Sequence, residues 1–345
     1  MKRAWMILGL AALLSFAGCG DQKADQLYEE GISALEAEDY EGAVEAFDEL
    51  TALGERLPEA YRGAGIAWLQ QGAYPEAIAA FSRSLNYMDY DNEAFENDVT
   101  YYLAQARLSY GETDKAISLY SDILKKGENS QCFYLRGKAY MIQGDMEKAA
   151  QDFSRALEGC TDYDLYINIY QLYADQGNSA EGLEYLDSAL SLEPETGEDY
   201  CQRGRIYCLR GEYEEAADEL IQAIDLEYSD AMLLLGSVYL EMDDSASARS
   251  MYQEYLAAGN SPARVYNGLA LCDIHDGQYD NALKNIASGL EEADEEEQQG
   301  LLYNEIAVYE YQRDFETAKT KMAEYLERYP DDQEAVRENQ FLSTR

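Results

Sequence analysis

Small and large apolar residues recur along this chain at a long, regular interval. An alanine or glycine is followed four residues later by an apolar or aromatic residue, as in Ala43 and Phe47 or Ala77 and Phe81. Because residues four apart share one face of an α-helix, each pair predicts the buried face of a helix. The small residue recurs nine times, at intervals of 32 to 39 residues, at Ala43, Ala77, Ala116, Ala149, Gly182, Ala216, Ala248, Ala282 and Ala318. A period of about 34 residues predicts a repeat protein with one insertion, between the second and third units.

A first helix is predicted before each of these positions. A second small residue often stands twelve positions earlier, as in Gly31 and Gly65, and allows two helices to approach closely. Glycine, which stops a helix in the left-handed conformation, follows the first helix at Gly72, Gly111, Gly144, Gly177, Gly211 and Gly277. Capping residues such as Asp145 and Asn178 come next. Each unit is therefore a helical hairpin, which buries its apolar face only by stacking on its neighbours.

Two units carry the fullest pattern. Residues 58–91 contain Tyr61, Gly65, Trp68, Gly72, Tyr74, Ala77 and Phe81. Residues 130–163 contain Gly137, Tyr140, Gly144, Ala149, Phe153 and Ala156. The pattern resembles the tetratricopeptide repeat family over residues 24–332. The resemblance implies an all-α fold, a right-handed superhelical solenoid of about nine helix-turn-helix hairpins, and residues 333–345 read as a C-terminal capping helix.

Some positions depart from the family pattern. Tyr170 and Ile306 stand where the family has a small residue, and Arg107 and Asp273 stand where it has an aromatic one. We expect looser packing or a shift in register at these units. The insertion, residues 86–92, is an acidic loop with Tyr87 and Tyr90, and it forms either a contact loop or an elongated second helix with a solvated end.

The N-terminus predicts export. Lys2 and Arg3 precede a largely apolar run from Ala4 to Ala17, which is shorter than the roughly 20 residues that a membrane-spanning helix needs. A basic start followed by a short apolar run is typical of a signal peptide.

The end of this run resembles the lipobox of bacterial lipoproteins. Ala-Gly-Cys at 17–19 fits that motif, whereas Phe16 stands where an aliphatic residue is preferred. The resemblance implies a signal peptide at 1–18 and a lipidated Cys19 with a short tether at 19–23. Two or three acyl chains hold a protein firmly on a membrane, which predicts a lipid-anchored protein on the extracytoplasmic face of the cell membrane. An ordinary export signal with an incidental cysteine is the alternative.

Charge restricts the partners. The chain has 68 acidic and 26 basic residues, and its formal net charge is −42. Such a surface repels phosphate backbones and anionic lipid headgroups, so no nucleic acid is expected among the partners. Membrane attachment is expected to depend on the lipid anchor rather than on a basic surface.

The family resemblance implies a concave groove lined by the first helices. Carried onto this sequence, its partner-binding positions are Arg62, Tyr101, Gln105, Tyr134, Lys138, Gln171, Arg205, Asn267 and Tyr303. Aromatic and amide side chains suit an extended or helical peptide. Together with Arg264, the basic residues of this set form a less negative stripe, or else their stems simply pack beside aromatic rings.

The residues available for catalysis are few. His275 is the single histidine, and the chain has no glycine-rich phosphate loop, paired-cysteine zinc motif or two-histidine metal motif. The acidic run 291–297 lacks the ligand spacing of a calcium loop. We therefore expect no enzyme activity, no catalytic residue, no bound metal and no cofactor. The cysteines other than Cys19 are expected as buried thiols, with a bridge between Cys132 and Cys160 as the alternative.

These observations predict a membrane-tethered, extracytoplasmic scaffold or adaptor that holds a peptide or partner protein of the cell envelope in its groove. Two alternatives stay open. One is a lipoprotein that binds an envelope glycan or another small ligand, and the other is an enzyme of unrecognised type.

Overall fold

A computed structural model describes residues 19–89, 92–259 and 262–345. Over these residues the chain forms nineteen α-helices and no β-strand, so the predicted all-α fold is confirmed. The predicted signal peptide at 1–18 and Tyr90 lie outside the described residues, as does the side chain of Cys19.

Consecutive helices pair into nine hairpins, followed by one last helix. The helices are α1 Cys19–Glu36, α2 Tyr40–Leu53, α3 Leu57–Gln70, α4 Tyr74–Tyr87, α5 Glu93–Ser109, α6 Thr113–Lys126, α7 Ser130–Gln143, α8 Met146–Ala156, α9 Tyr163–Asp175, α10 Ser179–Leu190, α11 Gly197–Arg210, α12 Tyr213–Asp225, α13 Ala231–Glu241, α14 Ser245–Ala257, α15 Pro262–His275, α16 Tyr279–Glu292, α17 Glu295–Tyr311, α18 Phe315–Arg328 and α19 Gln333–Leu342. They divide into two compact units, unit 1 with α1–α8 up to residue 160 and unit 2 with α9–α19 from residue 161.

Helix α1 corrects one expectation. It begins at Cys19, so residues 19–23, which were expected as a tether, belong to the first helix. Ala24 and Leu27, one turn further on, are buried against the first hairpin.

The turn between the two helices of a hairpin has one conformation throughout. The six predicted glycines all have φ between 70° and 86°. In the other three hairpins Glu38, Asp243 and Arg313 take the same left-handed conformation, with φ of 59°, 62° and 62°. A side chain makes this conformation unfavourable, so the hairpin itself imposes it whether or not glycine is present.

Close approach of the helices explains the pattern of small residues. Phe47 of α2 is fully buried between Gly31 and Gly63. A Cβ atom added at either glycine would lie 2.6 or 2.3 Å from its ring. Tyr252 lies in the same way between Gly236 and Gly268. The predicted pairing of a small residue with a large one is confirmed.

The departures from the pattern are accommodated by their surroundings. Tyr170, at a position that is normally small, is 9% exposed, and the facing helix carries Gly182, where a Cβ atom would lie 3.1 Å from the Tyr170 ring. Ile306 is buried. The guanidinium of Arg107 pairs with Glu112 in the turn that follows α5. The looser packing expected at Tyr170 and Ile306 is therefore absent.

Two hairpins contain a well-shielded ion pair that the sequence analysis did not identify. Arg203 donates to both carboxylate oxygens of Glu219, at 3.0 and 2.8 Å, and to the carbonyl of Leu190 at 2.8 Å. Arg136 bonds Asp152 in the same way, with both distances 2.7 Å. In each case the partners are sixteen residues apart, so the pair ties the first helix of a hairpin to its second helix.

Helix α19 closes the second unit. Ala335 and Leu342 are fully buried against the last hairpin, and the hydroxyl of Tyr325 donates to Asp332 at 2.6 Å. The prediction placed this helix at 333–345, and the helix spans Gln333–Leu342.

A carboxyl pair lies between α17 and α19. Glu310 Oε1 is buried and has no hydrogen-bond partner among the described residues. Burial and the facing carboxylate of Glu338 raise the pKa of Glu310 to about 7. Other acidic groups lie nearby. Burial, together with the carboxylates of Glu334, Glu338 and Asp332, raises the pKa of Tyr303 to about 12. Docking of α19 therefore favours a protonated Glu310.

Replacing Gly63 with alanine should destabilise unit 1. The added methyl group overlaps a buried ring that a second glycine confines from the other side, and such overpacking costs about 1–3 kcal/mol. Gly300→Ala is the matched control, since the space around that helical position is open to 3.5 Å and alanine should stabilise the helix by about 1 kcal/mol. Urea unfolding followed by circular dichroism measures both changes. Equal midpoints for Gly63→Ala and the unsubstituted protein would contradict the packing argument.

Docking of α19 should weaken as the pH rises. The pKa of Glu310 is raised from 4.5 to about 7 in the docked state. The docked state therefore has its full advantage below pH 4.5 and loses it as the pH rises through 7. We expect the hydrogen-exchange protection factors of α19 amides, corrected for intrinsic exchange, to fall by about three- to tenfold between pH 5.5 and 8.

Two variants separate this effect from a general change in the charge of α19. Glu310→Gln should remove most of the pH dependence, because it removes the group that titrates, and Glu334→Gln, on α19, should retain it. An undiminished fall in the Glu310→Gln variant would show that another group is responsible.

Candidate functional site

The first helices of neighbouring hairpins contact one another directly within each unit. These contacts join α1, α3, α5 and α7 in unit 1, and α9, α11, α13, α15 and α17 in unit 2. The solvent-facing sides of these helices form a surface in each unit that we call its groove face. All nine predicted partner-binding residues lie on these helices.

In unit 1, Arg62 is already paired. Its Nε and Nη2 atoms donate to the carboxylate of Asp98 on the next first helix, the latter at 3.2 Å. The guanidinium also lies 5.5 Å from the centroid of the Tyr102 ring. The side chain is 23% exposed, so Arg62 offers little positive charge to a partner.

Tyr101 and Tyr134 are half-buried parts of the same face. Tyr101 meets the rings of Tyr102 and Tyr120 edge-on, with centroids 5.3 and 6.3 Å away. Tyr134 packs against Phe153 at 6.2 Å. Burial raises the pKa of both Tyr101 and Tyr134, so their hydroxyls keep their protons. Their rings are held in place before any partner arrives.

Gln105 and Lys138 are the unsatisfied groups of this face. Gln105 Oε1 is buried without a hydrogen-bond partner among the described residues. Lys138 is half-buried and forms no ion pair with any residue that the structure describes. Ile142, one turn beyond Lys138, is 53% exposed. We call Tyr101, Gln105, Tyr134, Lys138 and Ile142 the α5–α7 patch.

In unit 2, three of the four predicted residues bond to other residues of the protein, and the fourth packs against a neighbouring ring. Gln171 donates to Asp175 at 2.9 Å, and Asn267 accepts from Asn304 at 2.7 Å. Tyr303 lies edge-on to Tyr325, with ring centroids 5.7 Å apart. The remaining residue is basic, and Arg205 donates to Asp164 at 3.2 Å.

These contacts correct the basic stripe. Arg264 is also paired, with its Nε 3.3 Å from Glu297. All three arginines of the stripe thus have carboxylate partners within their own unit, and Lys138 alone has none among the described residues. The acidic partners were not predicted, although Asp98 and Asp164 both stand in the first part of a first helix. An acidic residue at such a position, about one repeat from an arginine, could have indicated the ion pair.

The insertion does not lengthen the second helix. Helix α4 ends at Tyr87 and has 14 residues, the same number as α2 and α6, and α5 begins at Glu93, after the insertion. Tyr87 is 49% exposed and stacks on Tyr61, with ring centroids 5.5 Å apart and an angle of 11°. The elongated second helix considered for residues 86–92 is therefore not formed, and Tyr90 lies outside the described residues.

The acidic run at 291–297 starts a helix. Asp294 caps α17 and forms a capping box with Glu297, so these carboxylates accept backbone N–H groups. Asp and Glu are favourable at this end of a helix because its dipole is positive there.

The histidine and the cysteines, which could act as a base and as nucleophiles, lie in different surroundings. His275 lies on the surface, and its hydrogen bond to Asp243 raises its pKa. Burial raises the pKa of the Cys272 thiol to about 11, and that of Cys201 and Cys208 to about 11 as well. Cys132 is a buried reduced thiol, so the bridge considered for it is not formed.

Neither a metal site nor a membrane span occurs in the part of the chain that the structure describes. No group of three or more histidine, cysteine, aspartate or glutamate side chains in that part of the chain could hold a metal ion. None of the helices there combines the length and apolar character needed to cross a bilayer.

Known proteins resemble the chain through its repeats. A tetratricopeptide repeat-containing protein of Methanocaldococcus jannaschii is 22% identical over 273 residues, which is 75% of this chain and 45% of that protein. The chain thus spans less than half of this relative. The photosystem I assembly protein Ycf3 of Acaryochloris marina is 30% identical over 122 residues, 32% of this chain and 73% of that protein.

Solved structures also resemble the chain, at low sequence identity. A tetratricopeptide repeat protein from Parabacteroides merdae matches with a TM-score of 0.44 and 19% identity, and covers 73% of this chain and 99% of its own. Yeast Tom70 matches with a TM-score of 0.43 and 14% identity, and covers 94% of this chain and 96% of its own.

The model of one family covers most of the chain. The tetratricopeptide repeat model matches residues 28–94, 101–164, 170–231 and 233–296. These segments span the hairpins from α1 to α16. Helices in hairpins, left-handed turns and small residues at the helix contacts are the features that this family shares. The chain belongs to the tetratricopeptide repeat family.

Proposed function

We propose that this protein is a membrane-tethered, extracytoplasmic scaffold that binds a segment of a partner protein on the α5–α7 patch. Tetratricopeptide repeats in general bind other proteins rather than catalyse reactions. The observation that carries the proposal is that Gln105 Oε1 and the Lys138 ammonium have no partner among the described residues, whereas Arg62 on the same face is paired with Asp98.

A bound peptide would satisfy both groups. A backbone N–H can donate to Gln105 Oε1, and this removes the cost of about 1–3 kcal/mol for a buried acceptor without a partner. A carboxylate of the partner can pair with Lys138. An apolar side chain can cover the exposed Ile142. These three contacts together define an extended segment with an acidic residue next to an apolar one.

The electrostatics make this contact selective. The formal net charge of −42 repels acidic proteins in general. An acidic segment therefore binds only where it reaches Lys138 together with the apolar and hydrogen-bonding contacts. Charge of this kind contributes more to the choice of partner than to affinity.

The N-terminal sequence supports the location in the proposal. Lys2, Arg3, the apolar run and Ala-Gly-Cys at 17–19 fit a lipoprotein signal. Helix α1 begins at Cys19, so a lipidated cysteine would hold the first hairpin close to the bilayer. The partner would then be a protein of the envelope that approaches the membrane surface.

Charge reversal at Lys138 should abolish partner binding. In-membrane cross-linking with mass spectrometry in the native host should capture specific envelope proteins with the unsubstituted protein. Lys138→Glu should lower their yield at least about tenfold, because a carboxylate in the partner would then face a like charge. Lys125→Glu is the matched control, since Lys125 lies on the second helix α6 and is 73% exposed. Retained capture by Lys138→Glu would refute the α5–α7 patch, and no capture by the unsubstituted protein would refute the scaffold.

Cys19 should be required for membrane attachment. A Cys19→Ala variant should no longer incorporate a radiolabelled fatty acid and should leave the membrane fraction, because a protein with a formal net charge of −42 is not attracted to anionic headgroups. Replacing the half-buried Cys201 with alanine should leave both results unchanged. A Cys19→Ala protein that stays in the membrane fraction and still incorporates fatty acid would show that the lipid is attached elsewhere.

A further inference from the structure

Unit 2 contains a polar cavity of about 400 Å³ away from the groove face. It lies among the second helices α14 and α16 and the end of α15, and its lining includes Arg249, Asp273, Asp276, Gln278, Asn281 and Asn285. Cavities of a few hundred Å³ are the size of small-ligand sites.

The cavity follows from one departure in the repeat pattern. Asp273 stands where the family has an aromatic residue, and its short side chain leaves the space open. The residue is 3% exposed, yet its carboxylate is fully held, by Arg249 Nη2 at 2.9 Å and Asn285 Nδ2 at 2.7 Å. Arg249 Nη2 also lies 3.3 Å from Asp276. The floor of the cavity is therefore a rigid network of charged and amide groups.

Both donors and acceptors in this network are still available. Among the described residues, the hydrogen bonds of the Arg249 guanidinium all come from Nη2, which leaves Nε and Nη1 as donors. Asn285 Oδ1 is an acceptor that no described group engages. Lys284 makes one long hydrogen bond, 3.5 Å to Asn281. The two carboxylates balance the two cations, so the cavity suits a neutral ligand whose groups both donate and accept, as hydroxyls do.

An aromatic surface lies next to the cavity. A second cavity of about 360 Å³ shares Gln278 and Asn281 with the first and reaches Tyr279 and Asp280, whose carboxylate can accept a hydrogen bond from a hydroxyl group. Tyr279 stacks on Tyr311 with ring centroids 5.9 Å apart and an angle of 3°. Tyr311 is 60% exposed. A flat, exposed ring beside polar groups can cover the C–H face of a sugar ring while those groups bond its hydroxyls.

We propose that the two cavities form one site for a neutral oligosaccharide. Arg249, Asn281 and Asn285 bond its hydroxyl groups, and Tyr311 packs against one sugar ring. This site lies on other helices than the α5–α7 patch, and it does not depend on the protein-binding function.

Isothermal titration calorimetry on the full chain in detergent tests the site. The probes are maltotetraose, cellotetraose and chitotetraose. At least one should bind with a dissociation constant below about 1 mM. Tyr311→Ala and Asn281→Ala should each weaken its binding at least about tenfold, which corresponds to 1.4 kcal/mol. Both residues are exposed, so neither substitution should affect folding.

Two matched variants isolate the site. Tyr110→Ala removes a tyrosine of similar exposure, 53%, from unit 1 and should leave saccharide binding unchanged. Lys138→Glu should do the same, which separates this site from partner binding. The proposal fails if none of the three probes binds at 10 mM, if binding is insensitive to Tyr311→Ala and Asn281→Ala, or if inorganic phosphate displaces the sugar and so shows an anion site.

Discussion

The close approach of helices around one large side chain sets the geometry of the hairpins that contain Phe47 and Tyr252. Phe47 fits between Gly31 and Gly63 because neither glycine has a Cβ atom, and the added atom would lie within 2.6 Å of the ring. The same contact recurs around Tyr252. Since interiors are packed to crystal-like density, this contact fixes the spacing of the helices. It thereby places the first helices of neighbouring hairpins side by side, which creates the groove face.

Charge within the units is organised by pairing rather than by surface patches. Arg203 with Glu219 and Arg136 with Asp152 tie the two helices of their hairpins together, with most of each side chain shielded from water. Removing one partner of such a pair costs about 3–5 kcal/mol, because the other charge is left without compensation. On the groove face, Arg62 is neutralised by Asp98 on the next first helix. Most of the few basic residues therefore form ion pairs. Lys138, on the groove face of unit 1, forms none with any described residue.

Departures from the repeat pattern give this chain its individual features. Tyr170 is tolerated because Gly182 faces it, so the exchange of large and small residues keeps the packing intact. Asp273 has no such compensation in volume, and a polar cavity results. Glu310 places a second carboxyl group near Glu338, and burial together with that carboxylate raises the pKa of Glu310. The regular positions build the frame, and the irregular ones supply the chemistry.

The repeat and its turns could be predicted from the sequence because they rest on local rules. The spacing of small residues, the turn glycines and the helix caps each depend on residues close in the chain, and the all-α fold of hairpins followed from them. The candidate binding positions on the first helices came instead from the resemblance to the family, and their role in binding stays a prediction. The sequence could not show which of these side chains already bond to other residues of the protein. The pairing of Arg62 with Asp98, the buried oxygen of Gln105 and the open space beside Asp273 join residues from different helices, and some of them from different repeats. Only the tertiary structure decides these contacts, because they depend on distances between side chains that no local pattern encodes.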